Sequence, residues 1–447
     1  MHTKSKLGLF DFTMIVVSLV IGMGIFRTPV NVAQASPDAF LFFAAWLAGG
    51  LVALCGALTY AEIGSRFPVA GGYYKVFSYA YHPSVAFAVN CTILISNAAS
   101  LAGVALIGAE YITQVVLPDD AANINAIRIG IAIFSILIFY GVNLLGLRMS
   151  AKAQSILTII KISMIVLLIT PLFFATGTPA PAVTHTISPT FMEYLKAFGI
   201  GLVAVSFTYG GYQQTINFGA EVRNPAKTIP RGIFFGIFII IALYLTINYA
   251  YYKVIGFEQL KNAEGIAAIM AGNVFGSMAG KILSVFLFLS VLAYVNVLMM
   301  SNPRVMQAMS EDGILPKSFA QRTAKRDVLF TSLSVFAAIC AIIVFWAKSF
   351  DKILSFTIFL DCFGMILSSA TIFILRKKTQ HLDGTGIYKM KGFPLQPLVF
   401  IIAYIFVAIS IALDYAKNDY AAAIGLAVLV GSMGLYFVIK KLMPKNQ

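Results

Sequence analysis

The stretch GIFFGIFIIIALYLTINYAYY, residues 232–252, runs for 21 residues without a charged side chain. A helix needs about 20 such residues to cross the hydrocarbon core of a bilayer. Residues 282–303, 328–347 and 420–439 are equally free of charge. Across 447 residues the chain is 59% hydrophobic and only 11% charged. A water-soluble fold of this length has no interior large enough for that composition. The reading is an all-α membrane protein. Twelve spans are predicted, at roughly 11–34, 39–63, 84–116, 127–146, 153–175, 194–220, 230–252, 280–302, 328–347, 353–375, 395–413 and 420–440. The loops between them are mostly short, so residues 1–447 form a single transmembrane domain in the lipid bilayer.

The net charge of +14 does not indicate nucleic acid. A nucleic-acid binder gathers its basic residues on one folded polar surface, whereas here they lie in loops between apolar runs. With the N-terminus inside, 22 of the 32 lysines and arginines fall on the cytoplasmic side. The positive-inside rule then places both termini in the cytoplasm, with the chain multi-pass in the cell membrane. The apolar run 12–26 lacks a small-residue cleavage site and reads as the first span, not as a removed signal peptide. Cys55, Cys91, Cys340 and Cys362 lie inside apolar runs without metal-ligand spacing and read as packing residues. His2, His82, His185 and His381 all fall in predicted loops, so no intramembrane histidine relay or histidine-ligated metal is expected. No cofactor is expected either.

Two spans differ from the rest. The first contains Gly22-Met23-Gly24-Ile25-Phe26 and the sixth contains Phe207-Thr208-Tyr209-Gly210-Gly211-Tyr212. Glycines near mid-span make a helix easy to unwind, and unwound backbone in lipid is tolerated only where it lines a protein cavity. Close helix packing through small residues is the competing explanation for either pair alone. The two spans open successive five-span blocks, at about 11–175 and 194–375, with spans 11 and 12 following at about 395–440. Interrupted helices at corresponding positions of two halves point to a transporter built from inverted repeats. A break offers N–H groups, carbonyls and the positive end of a half-helix at mid-membrane. A zwitterion suits such a site without any charged side chain.

These motifs resemble the amino acid–polyamine–organocation superfamily, and within it the bacterial relatives of the L-type amino acid transporters. The resemblance is carried by Gly22-Met23-Gly24-Ile25-Phe26 and by Glu62-Ile63-Gly64-Ser65-Arg66-Phe67-Pro68 with Gly71-Gly72-Tyr73-Tyr74. It continues through residues 207–212, Glu221-Val222-Arg223-Asn224-Pro225, Ile229-Pro230-Arg231, Pro303-Arg304-Val305 and Asp312-Gly313-Ile314-Leu315-Pro316. Spans 9–12 match only in hydropathy. The resemblance implies a LeuT-type 5+5 inverted repeat with spans 1 and 6 unwound, and alternating access. It implies a substrate held at Gly22, Met23, Gly24, Ile25, Phe207, Thr208, Tyr209, Gly210 and Gly211, with Phe207, Tyr209 or Tyr212 as an outer gate. Met23 stands where the family has a small hydroxyl residue, which favours small to medium neutral side chains. Ser310-Glu311 also departs from the family pattern. No cysteine occurs in residues 118–126, so a disulfide-linked accessory subunit is not expected.

Four ionisable side chains fall in or near spans. Lys161 lies about nine residues from the cytoplasmic end of span 5, roughly 14 Å deep. A charge at that depth is a functional candidate by default. The family resemblance implies that its ammonium stands where sodium-coupled relatives hold an ion, joining carbonyls of span 1 to span 8 near Tyr294 and Asn296. Asp361 in span 10 reads either as a vestibule carboxylate, for a proton or a cationic substrate, or as a packing residue. Glu62 and Glu110 fall near helix ends and read as solvated.

The functional expectation is a secondary transporter exchanging neutral amino acids without sodium. Proton symport and transport of cationic amino acids or polyamines are the alternatives within that class. An intramembrane enzyme lacks a nucleophile–base pair or metal ligands at depth. A channel lacks a filter-like motif.

Overall fold

The computed structural model describes residues 7–22, 24–117, 123–174, 190–263, 266–267, 269–270, 277–346, 350–413 and 421–442. The principal helices are α1 (Leu9–Val20), α2 (Gly24–Ala35), α3 (Ala39–Arg66), α4 (Gly72–Ala80), α5 (Pro83–Val116), α6 (Ile124–Leu144) and α7 (Leu147–Ile169). They continue as α8 (Phe191–Tyr209), α9 (Pro225–Ile255), α10 (Ser277–Glu311), α11 (Phe330–Trp346), α12 (Phe350–Lys378), α13 (Leu395–Leu413) and α14 (Ala421–Leu442). Among the described residues, eleven helices are long and apolar enough to cross a membrane, and the shorter apolar helix Phe330–Phe345 supplies a twelfth candidate. The two breaks expected in spans 1 and 6 account for α1 with α2, and for α8 with the 3-10 helix Tyr212–Asn217.

Local signals set the helix ends. The Asp38 carboxylate accepts the Leu41 N–H at 2.8 Å and caps α3. Pro83 opens α5 and Pro225 opens α9, where the missing N–H costs nothing. Thr190 and Glu193 form a capping box on α8: the Thr190 N–H donates to Glu193 Oε2 at 2.7 Å, and the Glu193 N–H donates back to Thr190 Oγ1. α12 ends on Arg376, Lys377 and Lys378, which suit the negative end of its dipole.

The broken pair lies at the centre. α1 packs against α7 and α9, α2 against α8, and α5 lies between α10, α12 and α14. Gly232 and Gly236 let α9 approach α1. A Cβ at either would strike Phe12 or Val16, and such small-residue faces drive helix association where lipid gives no hydrophobic force.

One end of the bundle is closed by ion pairs. Glu62 corrects the expectation of a solvated helix end: it is fully buried. It accepts from Arg66 Nε at 2.7 Å, from Arg376 Nε at 2.9 Å and from the Met390 N–H at 2.8 Å. The chain between α12 and α13 folds back over this end of α3 and excludes the water that hydropathy alone assigns there. Arg66 also reaches Asp383 at 2.7 Å. The Arg304 guanidinium pairs with Glu221 at 2.6 Å and lies over the Phe218 ring. Lys75 pairs with Asp312. Leu7 joins the same end by backbone bonds, donating to Glu221 O and accepting from Arg223 N. Glu110 is exposed, in keeping with the reading of its sequence.

Candidate functional site

α1 stops at Val20. Ile21 adopts extended backbone, with φ −71° and ψ 91°, and Gly22 donates to Val20 O at 2.8 Å. The helix resumes at Gly24, so the N–H groups of the first turn of α2 lack intrahelical acceptors. Met23 lies outside the described residues. The second break follows Tyr209. Gly210 is extended, and Gly211 takes φ +112°, which an L side chain rarely adopts. A Cβ on Gly211 would also strike the Leu19 carbonyl, and one on Gly24 would come within 2.9 Å of Thr208 Oγ1. The two breaks therefore touch. Each glycine is needed for that approach as much as for its own conformation.

A cavity with an empty volume of about 770 Å³, its mouth included, opens beside this contact. The breaks contribute Gly22, Gly24, Phe207, Thr208, Gly210 and Gly211 to its lining. Tyr294 and Asp361 line it as well. The ring of Tyr294 covers Gly22, with 3.8 Å to a Cβ built there, and its hydroxyl meets Ser100 Oγ at 2.8 Å.

The other anticipated residues lie behind the lining. Ile25 is buried in the core. Tyr209 packs its ring against Trp46 and Tyr244, and Tyr212 packs against Tyr60. Of the three aromatics considered as a gate, Phe207 is the one on the cavity wall. Lys161 is fully buried, and its ammonium donates to the Ile21 carbonyl. That carbonyl is freed because α1 ends there. Burying an ammonium demands such a partner.

Asn296 sits at a polar junction. Its amide donates to Gln154 Oε1 at 2.7 Å and to Ser150 O at 3.1 Å, and it accepts from Asn143 at 2.9 Å. Gln154 in turn donates to Ser18 Oγ. Gln154, which the sequence reading missed, is thus the side chain that ties α1 to α10 through α7. Its signal was its position: Gln154, Thr158 and Lys161 fall on one face of α7, at spacings of four and three.

Asn97, Ser100, Ser206, Gln213, Gln214 and Tyr404 also line the cavity and were not anticipated. Gln214 donates to Asn97 Oδ1 at 2.9 Å, and Asn97 donates to Asn302 at 2.7 Å. This joins the second break to α5 and α10. The Gly211 N–H is taken by Gln213 Oε1 at 2.9 Å, and the Gly210 N–H by Phe207 O. On the second break these two donors are therefore engaged within the chain, while the α2 terminus keeps its helix-start character. The polar residues Asn90, Ser96, Asn97 and Ser100 inside an apolar span were a visible hint of a wet face on α5.

Among the described residues, no group of three or more His, Cys, Asp or Glu side chains is placed to hold a metal ion. The four cysteines are free thiols within helices.

Comparison with known proteins accords with this geometry. The family model described as amino acid permease matches residues 7–432. The serine/threonine exchanger SteT of Bacillus subtilis (strain 168) is 29% identical, over 99% of this chain and 99% of its own length. The Asc-type amino acid transporter 1 of Mus musculus is 23% identical, over 97% of this chain and 81% of its own. The cystine/glutamate transporter of Homo sapiens is 25% identical, over 97% and 85%. A match along nearly the whole length, onto a helical bundle with two touching breaks, makes the assignment: this chain belongs to the amino acid permease family of the amino acid–polyamine–organocation superfamily.

Proposed function

We propose that this multi-pass amino acid transporter is a sodium-independent exchanger of small to medium neutral amino acids, working by alternating access in the cell membrane with both termini in the cytoplasm. The observation that carries the reading is the contact of two interrupted helices beside one cavity, with the Lys161 ammonium on the carbonyl that the first break frees. The α-carboxylate of a substrate is matched by the N–H groups at the start of α2, and the α-ammonium by carbonyls and hydroxyls of the lining. Phe207 acts as the lid on that site. Lys161 supplies the positive charge that a bound sodium ion would otherwise bring, which is why no sodium is needed.

The two breaks open two five-helix repeats of the LeuT type, with α13 and α14 outside them. The ion pairs of Glu62, Arg304 and Lys75 then close the cytoplasmic face. Four relatives support amino acids as the cargo: a serine/threonine exchanger, an Asc-type amino acid transporter, a cystine/glutamate transporter and a large neutral amino acids transporter small subunit. No disulfide-linked accessory subunit is part of this reading, since residues 118–126 carry no cysteine.

The test is competition. Purified protein in liposomes should take up labelled serine, and unlabelled alanine, serine and threonine should suppress that uptake. Suppression by sugars or nucleobases, with amino acids inert, would contradict the reading.

A further inference from the structure

We propose that Asp361 is a proton-binding site inside the substrate cavity, so that a neutral amino acid is carried together with a proton on this carboxyl group. The proposal rests on the amino acid site above and adds a second ligand to it. Ile358, Asp361 and Met365, spaced three and four apart, put one face of α12 on the cavity. The Asp361 side chain is half-buried, and Ser96 Oγ donates to its Oδ1 at 3.3 Å. Ser96 stands one helical turn from Ser100, which holds the Tyr294 hydroxyl over Gly22. The carboxylate therefore lies close to the first break.

No cation among the described residues is placed to match it. Among the described residues, the cavity lining contains no lysine or arginine. The ion pairs of Glu62, Arg66, Lys75, Glu221, Lys261 and Lys389 lie elsewhere. The titratable groups turned toward Asp361 are the phenols of Tyr73 on α4, Tyr294 on α10 and Tyr404 on α13, with the Cys362 thiol beside it on α12. On the other elements packed against α12, α3 presents Tyr60, bonded to Ser368, and α5 carries Cys91. The charged groups of those helices sit toward their ends: Glu62 and Arg66 on α3, Lys75 on α4, the exposed Glu110 on α5, Glu193 and Lys196 on α8, Lys440 and Lys441 on α14. Phenols and thiols in such surroundings are neutral near pH 7. Lys161 directs its ammonium to Ile21 and is absent from the lining.

A carboxylate at membrane depth with one hydroxyl partner must find a positive charge. A neutral zwitterion balances its own ends at the breaks and has none to spare. A proton taken from water in the cavity makes Asp361 a neutral carboxylic acid, which can donate to the substrate or to a lining hydroxyl. When the cavity empties, the proton leaves with the substrate.

The experiment is equilibrium exchange of labelled serine in proteoliposomes, with equal pH on both sides, from about pH 5.5 to about pH 8.5. Wild-type exchange should fall as pH rises, approaching tenfold per unit on the alkaline limb, because the protonated fraction falls by that factor. Asp361→Asn should give a flat profile, its two extremes within about twofold of each other, since the amide cannot ionise. Ser96→Ala removes a hydrogen bond that favours the ionised form, so its midpoint should move to higher pH. That variant keeps the carboxyl group and decides the matter should Asp361→Asn not fold. A flat wild-type profile overturns the proton site alone. So does a wild-type profile retained in Asp361→Asn, or a midpoint unmoved in Ser96→Ala. Inhibition of wild type by arginine that disappears in Asp361→Asn would make this a subsite for cationic side chains and overturn the proposal. Absence of serine exchange at every pH would contradict the amino acid reading itself.

Discussion

The Lys161 ammonium and the Ile21 carbonyl are joined by a hydrogen bond at the point where α1 stops. α7 thereby holds the broken end of α1, and no water reaches the pair, since Lys161 is wholly buried. One turn away on the same face of α7, Thr158 and Gln154 continue the seam, and Gln154 reaches both Ser18 and Asn296.

Removing that ammonium leaves a buried carbonyl without its donor, at a cost of about 1–3 kcal/mol. Lys161→Ala should lower turnover or apparent affinity by about one to two factors of ten, since 1.4 kcal/mol is tenfold. Lys161→Arg should restore only part of it, because a planar guanidinium does not fit where a compact ammonium sits. Serine uptake with sodium replaced by choline measures this. An alanine variant with normal transport would remove Lys161 from the mechanism.

Glu62 is a test of the closed end. Its carboxylate is enclosed by Arg66, Arg376 and the Met390 N–H. Glu62→Gln leaves the buried Arg66 and half-buried Arg376 guanidinium groups with less than their counter-charge. Breaking a buried pair in this way costs about 3–5 kcal/mol. Thermal unfolding in detergent should shift clearly downward for Glu62→Gln. It should shift little for Glu110→Gln, where the side chain is exposed. Equal melting temperatures for the two variants would contradict the enclosure.

Asp383 gives the pH dependence of the same end. Hydrogen bonds from Lys389 and Arg66 hold its carboxyl below the ordinary value of 3.8. A depressed folded value stabilises the folded state above the unfolded pKa, and that contribution is lost as pH falls through the folded one. The loss therefore lies in acid, beginning near pH 3.8 and deepening below it. Between neutral pH and about pH 3, wild type should lose more thermal stability than Asp383→Asn. Parallel losses would show that this carboxylate contributes nothing.

Much of the fold was legible because bilayer thickness constrains sequence directly. Twelve apolar runs were expected, and among the described residues eleven spanning helices and the shorter Phe330–Phe345 stand at those places. The breaks were legible because Gly22, Gly24, Gly210 and Gly211 interrupt runs that otherwise favour helix. Cross-helix partners were not. Nothing local to Asn97 says that it will meet Gln214 across 117 positions. Glu62 was misread because the chain that buries it lies more than 300 residues away. Tyr209 and Tyr212 carry the same aromatic signal as Phe207, and only packing separates the cavity wall from the core.

Orientation can be tested by accessibility. Single cysteines placed within 118–126 or 177–193, in a background without the four native thiols, should react with an impermeant thiol reagent in intact cells. Cysteines at Lys325 and Lys378 should stay unlabelled until the membrane is opened. The reverse pattern would invert the proposed topology.

The most direct test of the central claim is counterflow. Proteoliposomes loaded with unlabelled serine, in choline buffer free of sodium, are given a trace of labelled serine outside. The account predicts rapid labelled uptake that depends on internal serine and is unchanged when sodium is restored. Uptake that requires sodium, or that proceeds equally well into empty liposomes, would contradict it.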